Sequence, residues 1–226
     1  MLVIDKPPGW MLAPASWDRT GRNLQLALVS AIQAGERWAR ARRLRYLRFV
    51  HRLDADTSGV LLLAKSPGAL RAFSQLFRSR QVRKVYWAVV HGRPAQEQWS
   101  CRWPLGPDPR HPDRTRIEPH AGKEAETQFR RLQLGPRWAL MEARPLTGRT
   151  HQIRVHLAAA GHPVVGDSLY GTPPQTHAAA AAGAGSLALR AVALDYHDPF
   201  RHRAVHIRAP VAEFARRYGF EALGPA

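Results

Sequence analysis

Asp54 and Asp56 stand two apart in the polar run HRLDADTSG, which starts at His51 and leads into the apolar stretch Val60 to Ala64. A carboxylate in such a place can act as a nucleophile or as a fixed negative charge beside a developing cation. It can equally be a turn former that accepts backbone N–H bonds at the entry to a strand. Other arrangements fail on spacing. His151 and His156 are five apart, so they do not share a helical face as an i, i+4 zinc pair would, and no third ligand follows at a suitable interval. Thr57-Ser58-Gly59 lacks the frame of a hydrolase elbow. Gly183 and Gly185 form no phosphate loop, because nothing strand-like precedes them and no Lys follows. Neither a metal nor a nucleotide cofactor is expected.

The elements that must hold these residues read as strands broken by a few helices. Gly21 to Arg43 carries Leu24, Leu28, Ile32 and Trp38 at near-helical spacing and predicts one amphipathic helix with a basic outer face. A strand over Leu47 to Val50 leads into the acidic run, and Gly59 to Ala64 is a buried strand, so Asp54 sits in a loop between strands. Ser66 and Pro67 mark the start of a helix with Leu70, Phe73 and Phe77 facing inward. VRKVYWAVVHG is a strand by its β-branched and aromatic content, with Lys84 and Tyr86 on the same face. The Pro-rich stretch from Trp103 reads as a loop, and KEAETQFRRLQL and RWALMEARPL as two antiparallel strands joined at Gly135-Pro136. A helix then begins near Thr150, buries Ile153, Leu157 and Ala160, and ends at Gly161 with Pro163 beyond. Without regular βαβ alternation this is α+β, with a mostly antiparallel sheet. HAAAAAGAGS, from His177 to Ser186, is a small-residue patch expected to carry no chemistry.

Bulk properties narrow the partner. The chain has 34 Lys and Arg against 17 Asp and Glu, a formal charge of +17 and a pI near 11.4. Such an excess calls for a polyanion, and Arg-rich runs such as RWARARRLRYLR suit phosphate, so nucleic acid is the leading partner. Basic residues are spread over the chain and not gathered on one amphipathic segment, which disfavours a membrane surface. With 226 residues and 45% hydrophobic content, one large domain is expected. The single cysteine, Cys101, excludes an internal disulfide framework, and there is no signal-peptide core or apolar run long enough to span a membrane. A cytoplasmic monomer is expected.

Three long segments, HRLDADTSG with Ala64 beyond, RKVYWAVVHG, and TGRTHQIRVHLAAAGHPVVGDSLYG, resemble in wording and order the signatures of the RluA-type pseudouridine synthases. The opening DKPPGW at Asp5 is similar to the family's Lys-Pro-x-Gly start. The resemblance implies a mixed, mainly antiparallel sheet with flanking helices and a basic active-site cleft. It implies a single catalytic domain over 1–226, and no N-terminal S4-type domain, as many relatives carry, is expected. It also implies isomerisation of specific uridines in rRNA or tRNA to pseudouridine, with the target nucleotide flipped out of its stack. By the same resemblance Asp54 is the catalytic acid and Tyr86 the active-site tyrosine, a candidate for moving the C5 proton. Arg154 pairs with the catalytic carboxylate and orients it. Arg52 fills the space that the flipped nucleotide vacates, or contacts a phosphate. Arg149 meets a phosphate at a helix N-terminus, and Lys84, His151 and Gln152 complete the expected RNA contacts. Two positions depart from the pattern, Ala13 and Arg190, where the family commonly has His. The alternative is a basic RNA-binding or ribosome-assembly module on the same scaffold, which would need the charge but not Asp54, Tyr86 and Arg154 together. A DNA-binding regulator has little support without helix-turn-helix spacing.

Overall fold

The computed structural model describes residues 1–12, 22–173, 175 and 185–221. Ala13, Gly21 and most of the small-residue patch (177–184) lie outside the described residues. The chain divides into two compact units, one of Met1–Val82 with Asp195–Ile207, the other of Arg83–Leu194 with Arg208–Ala226.

The first unit is organised by β3 (Ser58–Ala64), in which Leu61 to Ala64 are wholly buried. A strand buried on both faces reads as a continuous apolar run, as this one does. It pairs antiparallel with β1 (Leu2–Lys6), Lys6 opposite Gly59 and Leu2 opposite Leu63, and with β2 (Arg48–Phe49). The helix expected over Gly21 to Arg43 is two: α1 (Leu24–Gln33), capped by the Asn23 carboxamide, and α2 (Arg37–Ala41). Gly35, at φ +65°, turns the chain between them, a left-handed conformation that Gly adopts at little steric cost. α3 (Pro67–Arg78) begins as expected: Ser66 Oγ accepts from Ala69 N and Pro67 takes the first position. Its Phe73 is buried, with Leu70 and Phe77 half-buried.

The second unit holds a sheet in the order β10 (Leu189–His197), β4 (Arg83–His91), β9 (Trp138–Pro145), β8 (Thr127–Leu134), β5 (Gln98–Cys101). The β4–β9, β9–β8 and β8–β5 pairings are antiparallel, with one irregularity between Arg131 and Gln133. The Pro-rich stretch is not merely a loop, because β6 (Leu105–Pro107) and β7 (Thr115–Ile117) form a small antiparallel ribbon of their own. Pro109 and Pro112 fall in its turn, where no ladder hydrogen bond is lost, and the Asp108 carboxylate accepts from Arg110 N. α4 (Gln152–Ala159) ends before Gly161, at φ +84°, as expected. β11 (Ala204–Arg208) pairs with β10, and α5 (Ala212–Arg217) closes the described chain. Arg190, on β10, is buried and its Nε donates to the Pro210 carbonyl. Cys101 is a free, buried thiol. The fold is α+β with a mixed, mostly antiparallel sheet. Among the described residues no helix is long and apolar enough to cross a membrane.

Candidate active site

The acidic loop between β2 and β3 is anchored from both sides. Leu53 and Thr57 are buried, Asp54 between them is half-buried, and Asp56 and Arg52 are exposed. Thr57 N donates to the Asp54 carbonyl at 3.2 Å, which closes the turn. His51 Nε2 accepts from Leu62 N at 3.0 Å, and its ring stacks on Phe77 with centroids 4.5 Å apart. Because Nε2 accepts, the imidazole proton sits on Nδ1. Thr57 Oγ1 is buried with no hydrogen-bond partner among the described residues.

Beneath this loop lies a residue whose role sequence reasoning missed. Lys6 is wholly buried, and its ammonium donates to the Ala55 carbonyl at 2.5 Å and the Pro7 carbonyl at 2.9 Å. Gly9 N donates to the same Ala55 carbonyl at 3.0 Å. The DKPPG segment therefore grips the peptide between the two aspartates twice. Burial pushes the Lys6 pKa down to about 8, against the pull of the nearby Asp56 and Asp54 carboxylates. A signal existed: Leu2, Ile4 and Lys6 share the inward face of a period-two strand, so a lysine takes a core position.

In the second unit, Tyr86 lies on β4 opposite Ala143 and is 9% exposed. Lys84, two residues earlier, donates from Nζ to the Thr147 carbonyl at 2.7 Å. That threonine heads a buried relay. The Thr147 hydroxyl accepts from Glu126 N and donates to Gln152 Oε1 at 2.6 Å, and Arg149 N donates to the same oxygen. Gln152 Nε2 donates to the Glu126 carbonyl and to Thr127 Oγ1, both at 2.9 Å. The Thr127 hydroxyl donates in turn to His156 Nδ1, and His156 Nε2 donates to the Trp103 carbonyl at 3.1 Å. Burial lowers the His156 pKa, partly opposed by its bond to the Trp103 carbonyl. Gln152, expected at the RNA, is thus 4% exposed with both ends of its amide committed inside the protein. Arg149 remains partly exposed, with Nε on the Glu124 carbonyl at 2.9 Å.

Arg154 is held in a fork. Its Nε and Nη2 each meet an oxygen of Asp167 at 2.7 Å, and both residues are buried. Asp167 also accepts from Leu169 N and Tyr170 N, so the carboxylate caps its own turn while fixing the guanidinium. The Tyr170 ring lies 5.1 Å from the guanidinium carbon, a cation–π contact. His151, in the left-handed conformation at φ 54°, places Nδ1 2.8 Å from Tyr170 Oη, which accepts from Thr115 N. Asp167 and Tyr170 were not foreseen as partners, although both stand in the quoted VVGDSLYG. Among the described residues no group of three or more His, Cys, Asp or Glu side chains is placed to hold a metal ion.

The scaffold is a mixed, mostly antiparallel α+β one, and comparison with known proteins gives the family. The chain belongs to the RNA pseudouridylate synthase family, whose model matches residues 1–159. It is 35% identical over 217 residues to the ribosomal large subunit pseudouridine synthase C of Vibrio vulnificus (strain CMCP6), covering 94% of this chain and 64% of that protein. Against the Escherichia coli (strain K12) protein of the same name it is 34% identical over 220 residues, 96% of this chain and 66% of the relative. The chain therefore spans just under two thirds of the length of these relatives. Among solved structures it resembles human RNA pseudouridylate synthase domain containing 1, with a TM-score of 0.72 and 26% identity over 92% of this chain and 78% of the other.

Proposed function

We propose that the chain isomerises specific uridines in structured RNA to pseudouridine, and that Asp54, Tyr86 and Arg154 carry the reaction. Membership of the RNA pseudouridylate synthase family, matched across the segment that contains all three residues, is the observation that carries this reading. The N1–C1′ bond of the uridine breaks, C5 bonds to C1′, the C5 proton leaves and N1 gains one. Substrate and product are isomers, so the balance requires no oxidant, reductant or cofactor. The carboxylate of Asp54 acts at C1′, where positive charge develops as the glycosidic bond breaks. Double anchoring of the Ala55 carbonyl supports this role, because an acid must be held in place to act on a single carbon. Tyr86 accepts or relays the C5 proton. Arg154, with its guanidinium plane set by Asp167, orients the reacting carboxylate.

The RNA contacts divide by what each side chain already does. Arg52, exposed on the acidic loop, enters the space left by the flipped base, and Arg149 takes a phosphate with the face of its guanidinium not used on Glu124. His151 contributes a ring held by Tyr170. Lys84 and Gln152 support the Thr147–Arg149 turn that presents Arg149. The relatives named for the large ribosomal subunit favour rRNA as the substrate, and the net charge of +17 fits it. The enzyme acts as a cytoplasmic monomer. Mapping pseudouridines in total RNA from cells with and without the gene, then restoring the missing sites with purified protein, tests the proposal. Identical maps, with no product on any ribosomal transcript, would leave a non-catalytic RNA-binding module as the better reading.

A further inference from the structure

The tip of the β10–β11 hairpin, Asp195–Ile207 of the first unit, plays no part in the chemistry above, yet it is built to present side chains. From Asp195 to Ile207 it carries Arg201, Arg203 and three histidines against two acids, and one of these, Asp195, faces His206 Nδ1 at 3.0 Å. The other, Asp198, is consumed in shaping the tip: its Oδ1 accepts from Phe200 N at 2.9 Å and Arg201 N at 3.1 Å, and its backbone bonds to Arg203 and His202. Arg201, His202 and Arg203 are exposed. Phe200 is 58% exposed, the most open large apolar side chain among the described residues, and it leans on the buried Phe73 with centroids 6.2 Å apart. An aromatic ring backed by the core and flanked by guanidinium groups is a rigid stacking platform for a base, with cations placed for the adjoining phosphates.

Position within the unit separates this platform from the acidic loop. The charges of Lys65, Arg201 and Asp198 all reach the amine of Met1, and Met1 precedes Leu2, which pairs with Leu63 near the far end of β3. Lys6, at the other end of β1, grips the loop that carries Asp54. The hairpin tip therefore lies about one length of β3 from that loop, ~20 Å at 3.3 Å per residue. We infer that the Phe200 tip, with Arg201, Arg203 and Lys65, is an accessory RNA-binding surface that stacks an unpaired nucleotide a few residues along the strand from the target uridine. The inference rests on the proposed RNA substrate and adds where along the strand the second contact falls. A protein partner fits the tip less well, because Asp198 is committed to the backbone of the tip and Asp195 to His206, while Arg201 and Arg203 stand exposed.

A fluorescein-labelled oligouridylate of about twelve nucleotides, long enough to span the ~20 Å between the two places, is titrated by anisotropy into four proteins. These are the wild type, Phe200→Ala, Phe200→Trp and Arg201→Ala/Arg203→Ala, each checked for native circular dichroism. Phe200→Ala is expected to bind about tenfold more weakly, and Phe200→Trp at wild-type strength, as stacking demands. The double arginine variant should flatten the slope of log affinity against log salt by about 0.7 for each phosphate it no longer neutralises. Wild-type binding with unchanged affinity in Phe200→Ala would overturn the platform and leave the hairpin as a protein-docking edge. A loss that Phe200→Trp does not restore would overturn stacking. A wild type that binds a structured ribosomal RNA fragment but not this strand would overturn this inference alone, and one that binds neither would overturn the RNA substrate as well.

Discussion

Replacing Lys6 by Met removes a buried ammonium while keeping a similar volume, and it separates stability from activity. With the folded pKa at about 8 and an unfolded value of 10.5, the native state binds fewer protons than the unfolded one between those values. The protein should therefore gain stability as pH rises through that window, and the burial penalty should be fully present below about pH 8. A depression of this size corresponds to about 3 kcal/mol of penalty at neutral pH, of which about 1.3 kcal/mol is relieved between pH 7 and pH 9. Lys6→Met removes that penalty together with two charged hydrogen bonds, to Ala55 and Pro7, each contributing about 1.5–3 kcal/mol. The variant should accordingly be no more than about 3 kcal/mol less stable than the wild type at pH 7. Its Ala55 carbonyl keeps only the Gly9 N–H, so the acidic loop loses its fixed place and turnover should fall by about 10²-fold or more. Urea denaturation of both proteins at several pH values, beside pseudouridine formation at pH 7, measures each part. Parallel pH–stability curves for the two proteins would refute the assignment of that slope to Lys6. Wild-type turnover in a folded Lys6→Met protein would refute the positioning argument.

Asp54→Asn should abolish pseudouridine formation while RNA affinity stays within about threefold, or ~0.7 kcal/mol, as read by product assay and filter binding. Tyr86→Phe should fold normally, because a hydroxyl removed at a nearly buried position costs about 1–3 kcal/mol at worst. It should nevertheless release little tritium from [5-³H]uridine in substrate RNA, and full release would return Tyr86 to a stacking role. Asp167→Asn leaves the buried Arg154 facing a neutral amide and should cost about 3–5 kcal/mol. For a chain of this length that lowers the melting temperature by about 6–10 °C in calorimetry.

What the sequence revealed depended on how local each cause was. The Ser66 cap with Pro67, the apolar run of β3 and the turn at Gly135-Pro136 are decided by neighbouring residues, and all were legible. Gly35 was passed over because Leu24, Leu28 and Ile32 sustain a helical period that hides a break immediately after it. β10 and β11 went unassigned, although Gly185-Ser186 before the first and Asp198-Pro199 between the two are turn signals that mark their limits. In α4 the inward Ile153 and Leu157 were foreseen, but Gln152, Arg154 and His156 are buried as well. Their polar burial is licensed by Thr127, Thr147 and Asp167, partners distant in sequence or in a loop, which no helical period encodes. Asp54 was legible because its loop is a contiguous motif. Lys6 was not, because its bond partner Ala55 lies 49 residues away.

The relay from Glu126 through Thr147, Gln152, Thr127 and His156 to Trp103 has a direction. Every hydrogen points the same way along it, and each hydroxyl both gives and receives. A chain of this kind has no neutral substitution at a single link. Gln152→Glu would supply a second acceptor where a donor is needed, and a proton added at His156 Nδ1 would confront the Thr127 hydroxyl with a donor where it now finds an acceptor. Acidification therefore acts on β8, α4 and the Thr147 turn through one imidazole. Because the folded pKa of His156 lies below its ordinary value, the stability it confers is complete above about pH 6.5 and drains away as pH falls through the depressed value. The Thr147–Arg149 turn thus stands at one end of a hydrogen-bond chain whose other end is a histidine fully buried in the protein.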